Sequence, residues 1–195
     1  YMKIRMLTFV IALFAISLAN AQSIWTFDKA HTEIRFSAIH LVVSEVTGRF
    51  KSFDGKVTSA SEDFSGSDIE FTADIASIDT ENERRDNHLK SDDFFNAEKY
   101  PRLNFKGKLV KINEKYQLTG NLTIRDVTKP VTLDVVYNGT VKDPFSGTPK
   151  AGFNINGKIN RFDYGLKWNA LMETGGAVAG PEIDIECSVE LQKQG

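Results

Sequence analysis

The sequence has a single cysteine, Cys187, and this scarcity excludes an internal disulfide bond. Its fold must therefore be stabilised by packing alone. Cys187 falls in phase with the apolar residues Ile183, Ile185 and Val189 of an alternating run. This phase predicts a small buried side chain and not a nucleophile.

Enzyme motifs are also lacking. No Gly-x-Ser-x-Gly segment, phosphate-binding glycine loop or closely spaced pair of histidines occurs. The three histidines, His31, His40 and His88, do not have the spacing of a zinc site. Acidic pairs such as Asp92-Asp93 are typical of solvated faces in a chain with this many carboxylates. The sequence therefore predicts no catalytic residues, no metal site and no cofactor.

Long hydrophobic runs are limited to residues 6–18, which are too few to span a bilayer. Lys3 and Arg5 precede this run, and the small-x-small pattern of residues 19–21 follows it. This order is typical of a secretory signal peptide, whereas the alternative interpretation is a buried N-terminal helix. We expect cleavage after Ala21, a mature domain over residues 22–195, and export to the periplasm.

An excess of positive charge is absent too. The chain has 24 basic and 26 acidic residues and a formal net charge of −2, and removal of Lys3 and Arg5 would make it more negative. Such a chain lacks the excess of positive charge that is typical of proteins that bind nucleic acid or an anionic membrane surface. We therefore expect no nucleic-acid partner. We also expect no transmembrane segment in the mature chain, and the oligomeric state stays open, with a homodimer as one option.

What the sequence does have is alternation of apolar and polar residues with period two, which predicts half-buried β-strands. The apolar members of the clearest runs are Ile34, Phe36 and Ala38; Ile69, Phe71 and Ala73; Leu118, Leu122 and Ile124; Val131, Leu133, Val135 and Tyr137; Phe153, Ile155 and Ile159; and Ile183 to Leu191. Turn residues separate the runs at Phe53-Asp54-Gly55, Ser65-Gly66-Ser67, Asn113-Glu114, Asn138-Gly139 and residues 143–147. About eight strands with short connections indicate an all-β antiparallel sandwich or barrel.

One polar stretch breaks the alternation, and it predicts a short helix near residues 82–92 with Thr80 as its N-cap. Periodicity does not distinguish a sandwich from a barrel. Glycines among the large aromatic residues of the apolar face favour a barrel, because small residues leave room or mark corners. These glycines are Gly48, Gly107, Gly120 and Gly157.

Three polar constellations are candidates for contact with a ligand. His40 extends the apolar face of Ile34 and Phe36 by one step, so it either anchors a ligand head group or bonds to backbone. Arg85 and His88 share a helical face, where they either meet an anionic head group or, with Asp86, pin the helix to the rim.

The third constellation is the aromatic stretch of residues 161–169, which includes Lys167 and Trp168. Near a barrel opening, Trp168 would suit an amphipathic ligand. The alternative is a loop that packs its own aromatic rings against the sheet.

Taken in order, nine segments resemble the YceI-like family of lipocalin-like, polyisoprenoid-binding proteins, from about Trp25 to Leu191. Two positions depart from the family pattern, since Asp126 stands where glycine is common and Asn96 where aspartate is common. The segments include Asp28-x-x-His31-Thr32-x-Ile34-x-Phe36, His40-Leu41-x-Val43-Ser44-x-Val46-x-Gly48-x-Phe50, Ser77-Ile78-Asp79-Thr80, Arg85-Asp86-x-His88-Leu89-x-Ser91-x-Asp93-Phe94-Phe95, Tyr100-Pro101-x-Leu103-x-Phe105, Gly120-x-Leu122-Thr123-Ile124, Val127-Thr128-Lys129-Pro130-Val131, Gly152-Phe153 and Asn160-Arg161-x-Asp163-Tyr164-Gly165-Leu166.

The resemblance implies an eight-stranded antiparallel barrel around a long hydrophobic tunnel, in a protein that is usually exported and has no established reaction. It also implies a polyisoprenoid or another long-chain lipid as the ligand. Alternation then assigns to the tunnel wall the residues Phe36, Ile69, Phe71, Leu103, Phe105, Leu122, Val135, Phe153 and Ile185, which would equally serve as ordinary core.

Two other functions remain open at this stage. One is an enzyme that acts on a lipophilic substrate, of the isomerase or cyclase type, which would use His40, Arg85 or His88. The other is a stress-related structural module with no small ligand, for which we would expect a solid interior.

Overall fold

The computed structural model describes residues 22–173 and 178–195, which form eleven antiparallel strands and one α-helix. Short 3-10 turns cover Ile75–Ser77 and Arg161–Tyr164. The strands are β1 (Ser23–Phe27), β2 (Glu33–His40), β3 (Ser44–Phe50), β4 (Phe53–Ser59), β5 (Asp68–Asp74), β6 (Ile78–Asp79), β7 (Arg102–Ile112), β8 (Lys115–Ile124), β9 (Val127–Lys142), β10 (Pro149–Asn160) and β11 (Ala179–Lys193), and the helix is α1 (Glu83–Lys90).

The strands close into an eight-stranded barrel. The ring runs β1-β4-β5-β7-β8-β9-β10-β11 and returns from β11 to β1. The long strand β11 pairs with β1 at Leu191 and with β2 at Cys187, so β1 and β2 are two halves of one bent strand. The predicted all-β, antiparallel, lipocalin-like barrel with one short helix is therefore confirmed.

Alternation places the inner and outer faces of the wall. Along β7, Leu103, Phe105 and Leu109 are buried, while Arg102 and Asn104 are exposed. Each strand therefore presents apolar side chains to the barrel interior and charged side chains to water.

Glycine on the inner face permits a close approach between β7 and β8. Gly107 lies opposite Gly120, and the ring of Phe105 lies across both. A Cβ atom at Gly120 would stand 2.3 Å from the carbonyl oxygen of Lys106 and 2.7 Å from the Phe105 ring. These glycines leave the space that the Phe105 ring occupies against the wall, since a Cβ atom at either position would overlap it.

Two of the predicted turns are wrong. Phe53-Asp54-Gly55 begins strand β4, and the chain reverses just before it, at Lys51 and Ser52. Asn138-Gly139 lies within β9, where the register against β10 shifts by one residue and Gly139 has a φ of +105°. This is a β-bulge, which uses the same residue types as a turn because it also requires an unusual backbone conformation.

Helix α1 begins after Asn82, whose side chain accepts a hydrogen bond from the backbone N–H of Arg85. The prediction of Thr80 as N-cap is therefore wrong. Thr80 is buried and bonds to side chains of the helix instead. The helix lies within the predicted range of residues 82–92.

One end of the barrel is closed by an aromatic cluster. Phe64, from the loop between β4 and β5, is 1% exposed and packs at 4.9 Å from Trp25 and 5.2 Å from Phe153, measured between ring centroids. Tyr137 stacks on Phe153 at 5.0 Å, and the hydroxyl of Tyr116 donates to the carbonyl of Asp63. We call this group the aromatic plug.

Among the described residues, no helix is both long enough and apolar enough to cross a membrane. The predicted signal peptide, residues 1–21, lies outside the described residues.

Candidate functional site

The barrel encloses an apolar cavity of about 350 Å³ between the aromatic plug and helix α1. Inward-facing side chains such as Ile34, Phe36, Phe71 and Ile155 are only partly covered by other protein atoms. In a solid core such residues would be fully buried. Their uncovered surface faces the cavity that they line.

Most of the predicted wall residues line this cavity. They are Phe36, Ile69, Phe71, Leu103, Phe105, Leu122 and Ile185. The structure places Val135 and Phe153 elsewhere: Val135 is buried opposite Tyr116, and Phe153 belongs to the aromatic plug. Both face inward, as alternation requires, but at the closed end of the barrel, below the floor of the cavity. A role of the seven wall residues in binding stays a prediction.

Sequence reasoning missed several wall residues. Phe27 and Phe50 continue alternating runs, so a longer window would have found them. Phe94 and Phe95 follow α1 in an irregular segment, and no periodicity marks their direction.

His40 lies at the opposite end from the plug, on the inner face of β2, and lines the cavity beside Ala179 of β11. Within residues 22–173 and 178–195, its ring makes no hydrogen bond to backbone. The structure therefore favours the interpretation of His40 as a polar group at the cavity entrance. We call this entrance the mouth, defined by His40, Arg85, His88, Arg161 and Trp168.

Arg85 lines the cavity and also fastens α1 to the wall. Its Nε donates to the Thr80 hydroxyl at 2.8 Å and its Nη2 to the Thr80 carbonyl at 2.7 Å. The Thr80 hydroxyl donates in turn to Asp86 Oδ1 at 2.5 Å, and Asp86 is buried. The two interpretations of this motif are thus compatible, since Asp86 pins the helix while Arg85 both anchors it and lines the cavity.

His88 and Trp168 close one side of the mouth. Their ring centroids are 5.0 Å apart, and both rings pack on Phe94. His88 Nε2 is 2.8 Å from Asp93 Oδ2, an exposed carboxylate. Trp168 therefore both packs its ring and lines the cavity, while its neighbour Lys167 is exposed.

Arg161 is a mouth residue that sequence reasoning did not single out. It is 3% exposed, and its guanidinium donates to the carbonyls of Leu166 (2.6 Å), Trp168 (2.8 Å), Ala179 (3.0 Å) and Gly180 (2.9 Å). Burial lowers the pKa of Arg161, but a guanidinium stays protonated in proteins. This side chain joins both sides of the long connection between β10 and β11.

Cys187 lies in the cavity wall, opposite Ile34 of β2. Desolvation raises the pKa of its thiol to about 11. A thiol with this pKa is almost wholly protonated at neutral pH and is therefore a poor nucleophile.

Asp28, His31 and Glu190 form a cluster with the residue types of a metal site. Lys150 bonds to Asp28, and its Nζ lies 3.3 Å from Glu190. The Lys150 ammonium lowers the pKa of Asp28, and the pKa of Lys150 is raised in return. The cluster is a charge clamp between β10, β11 and the bend after β1, in which the Lys150 ammonium lies against both carboxylates.

Known proteins are similar to this chain in sequence and in fold. A model of the YceI-like domain matches residues 25–191. A UPF0312 protein of Staphylococcus aureus (strain N315) is 41% identical over 166 residues, which cover 85% of this chain and 95% of that protein. The crystal structure of a Campylobacter jejuni YCEI protein is 38% identical, with a TM-score of 0.68, and covers 87% of this chain and 98% of that one.

A polyisoprenoid binding domain from Saccharophagus degradans shares the fold at 14% identity, with a TM-score of 0.62 over 87% of this chain and 98% of that one. The family match spans nearly all of the barrel, from β1 to β11, and includes every residue of the mouth. The chain therefore belongs to the YceI-like family.

Proposed function

We propose that this protein binds a long-chain apolar ligand, a polyisoprenoid or a similar lipid, inside the barrel, for transport, storage or sequestration. The observation that carries the proposal is the cavity, which is apolar along its wall, blocked at one end by the aromatic plug and polar only at the mouth. Membership of the YceI-like family and the fold shared with a polyisoprenoid binding domain support it.

The energetics favour a chain over a small apolar molecule. Each buried CH₂ group contributes about 0.8 kcal/mol, so one five-carbon unit contributes about 4 kcal/mol before costs. Association itself costs about 4 to 15 kcal/mol. Several units are therefore needed for firm binding, and head-group contacts will adjust selectivity more than affinity.

Export is part of the proposal, with residues 1–21 as the signal peptide and the periplasm as the destination. The support for it is the order of basic, apolar and small residues at the start of the sequence.

The two other functions receive less support. An enzyme would need a pair of groups within hydrogen-bond reach in the cavity, and His88 instead pairs with Asp93, which is exposed. A ligand-free structural module would have a solid interior, whereas this barrel is hollow.

The cavity can be tested by filling it. Ile155 of β10 lines the cavity, and its neighbour Asn156 is exposed on the outer face. We expect Ile155→Trp to lower the affinity for a fluorescent long-chain probe by about tenfold or more, because the indole occupies ligand space. Asn156→Trp is the matched control and should bind as the wild type does.

Solvent extraction and native mass spectrometry of the purified protein should further reveal a co-purifying lipid, which Ile155→Trp lacks. A wild-type protein that is empty and binds no long-chain probe would contradict the proposal. Equal binding by the two tryptophan variants would show that the ligand lies outside the barrel.

A further inference from the structure

Apart from the Cys187 thiol, the ionisable residues that line the cavity are all basic. Those at the mouth are His40 at the end of β2, Arg85 and His88 on α1, and Arg161 after β10, whereas Arg35 is exposed and lies beside Glu33. Among the described residues, no aspartate or glutamate lines the cavity. The chain as a whole has more acidic than basic residues, so this distribution does not follow from composition.

Arg161 is a buried cation whose described partners are neutral. Its four hydrogen bonds go to backbone carbonyls, and no carboxylate lies within ion-pair distance in the part of the chain that the structure describes. Buried charges in proteins are normally paired, because carbonyl dipoles replace water only in part. The guanidinium therefore contributes positive potential to the mouth.

Arg85 is likewise without a carboxylate partner among residues 22–173 and 178–195. Two of its nitrogens donate to Thr80, which leaves the Nη1 group with no described partner. A planar guanidinium with free donors is the side chain best suited to the oxygens of a carboxylate or a phosphate.

Contacts place these groups around one opening. The carbonyl of Ala179 accepts a hydrogen bond from Arg161, and Ala179 is the register partner of His40. The carbonyl of Trp168 accepts another bond from Arg161, and the Trp168 ring packs on His88. Arg85 lies three residues before His88 on the same face of α1.

We propose that the ligand in the barrel carries an acidic head group, a carboxylate or a phosphate, which lies at the mouth against Arg85 and Arg161. This inference rests on the proposed function, because it requires that a chain occupies the cavity. The apolar wall takes the tail, and the head supplies the negative charge that the described mouth residues do not. His88 contributes less than the two arginines, since Asp93 already pairs with it.

A matched series of dodecyl amphiphiles tests the head group. Dodecanoic acid, dodecyl phosphate and dodecan-1-ol share one tail, and their affinities at pH 7 follow from displacement of a neutral fluorescent hydrocarbon probe. We expect the acid or the phosphate to bind about tenfold more tightly than the alcohol, with a preference that weakens as salt is raised. Without charge recognition the alcohol would bind at least as well, because its head costs less to desolvate.

Arg85→Met locates the contact, because methionine keeps an apolar stem and removes the charge. It should lower the affinity for the preferred acidic ligand about fivefold more than the affinity for dodecan-1-ol, because only the acidic head group loses a charged partner. Arg84→Met, at the exposed adjacent position of α1, is the control and should change neither.

Each outcome has one meaning. If the alcohol binds as tightly as both acidic ligands do, the head-group inference is wrong while the proposed function stands. If no dodecyl compound binds and longer chains also fail, both are wrong. The ratio between dodecanoic acid and dodecyl phosphate shows which anion the mouth prefers, and an equal loss in Arg85→Met and Arg84→Met would overturn the location. The comparison of ligands on the wild type holds even if a variant does not fold.

Discussion

At the scale of single residues, the hollow interior makes Cys187 a reporter of the cavity. The thiol is shielded from bulk water by the wall, yet it faces space that a small reagent can enter. A cysteine packed in a solid core would react only when the protein unfolds.

We expect alkylation of native Cys187 by iodoacetamide to be slow at neutral pH and to rise about tenfold per pH unit up to about pH 10, because only the thiolate reacts. This range follows from the thiol pKa of about 11. The rate is measured by mass spectrometry, with the urea-unfolded protein as control, whose rate should level off near its ordinary pKa of 9.0. A bound long-chain ligand should slow the native reaction further, and a native rate that levels off below pH 9 would contradict the assignment.

The mouth shows what single-residue reasoning could and could not predict. His40, Arg85, His88 and Trp168 were accessible to it, because a strand face or a helix face fixes their direction. Arg161 was not, because its role depends on carbonyls from both sides of a long connection. No local pattern encodes which backbone atoms will surround a side chain.

At the scale of elements, the turn between β2 and β3 is strained. Leu41 and Val42 have φ values of 52° and 67°, and the N–H of Val43 donates to the His40 carbonyl at 3.2 Å. Two consecutive residues with positive φ are the geometry of a type I′ turn, which favours Asn-Gly. A β-branched residue such as Val42 is poorly suited to this conformation.

We therefore expect Val42→Gly to raise the free energy of unfolding by about 1 kcal/mol, since the strain of a left-handed conformation exceeds the entropy cost of glycine there. Little packing is lost, because Val42 is 67% exposed. Urea denaturation provides the measurement. Val43→Gly is the control: Val43 is exposed but lacks a positive φ, so this change should be neutral or destabilising.

The elements were the best-predicted level of the structure. Alternation identified most of the long strands, and the polar stretch identified α1. Both patterns are visible in the sequence because one side of each element faces water. The errors fell on Phe53-Asp54-Gly55, Asn138-Gly139 and Thr80. Each of these residue types occurs in two kinds of structure, and the commoner kind was predicted. Phe53-Asp54-Gly55 starts a strand, Asn138-Gly139 forms a bulge, and Thr80 is a buried hydrogen-bonding residue and not a cap.

At the scale of the whole molecule, the barrel depends on a short seam. β1 and β11 pair at only three positions, from Trp25 with Lys193 to Phe27 with Leu191. Next to this seam, Lys150 bonds to Asp28, and the Thr32 hydroxyl donates to the carbonyl of Glu190 at 3.1 Å. The charge clamp therefore supports the closure of the ring.

Asp28→Asn should lower the free energy of unfolding at pH 7 by about 1 to 3 kcal/mol, because the change leaves Lys150 with a weaker partner. The folded pKa of Asp28 is depressed, so its contribution is fully present above the ordinary pKa of 3.8 and is lost gradually as the pH falls from there through the depressed folded value. Urea titrations at pH 7, 5 and 3 should therefore show the same difference between wild type and variant at pH 7 and 5 and a smaller difference at pH 3.

Asp54→Asn is the control for this effect, since the Lys29–Asp54 pair is 4.0 Å long and exposed. It should change stability little at any of these pH values. A loss in Asp28→Asn that stays the same from pH 7 to pH 3 would contradict the electrostatic origin of the clamp.

The closure of the barrel and the cavity inside it are properties of the whole molecule, and the periodicity of the sequence does not predict them. Alternation assigned Val135 and Phe153 to the cavity wall because they face inward, but how deep each residue lies depends on the stagger of all eight strands. The glycines of the apolar face and the resemblance to the YceI-like family indicated a barrel, whereas only the structure shows where the floor of its cavity lies.

The aromatic plug has a consequence for exchange. Because the plug closes one end of the barrel, a chain-like ligand would enter tail first and leave head first through the same opening. An incoming molecule has no rear access from which to push the resident out, so departure sets the pace of replacement. Raising the concentration of a competitor should then leave the rate of release constant, and a membrane or partner that accepts the lipid would have to meet the barrel at its helix-capped end.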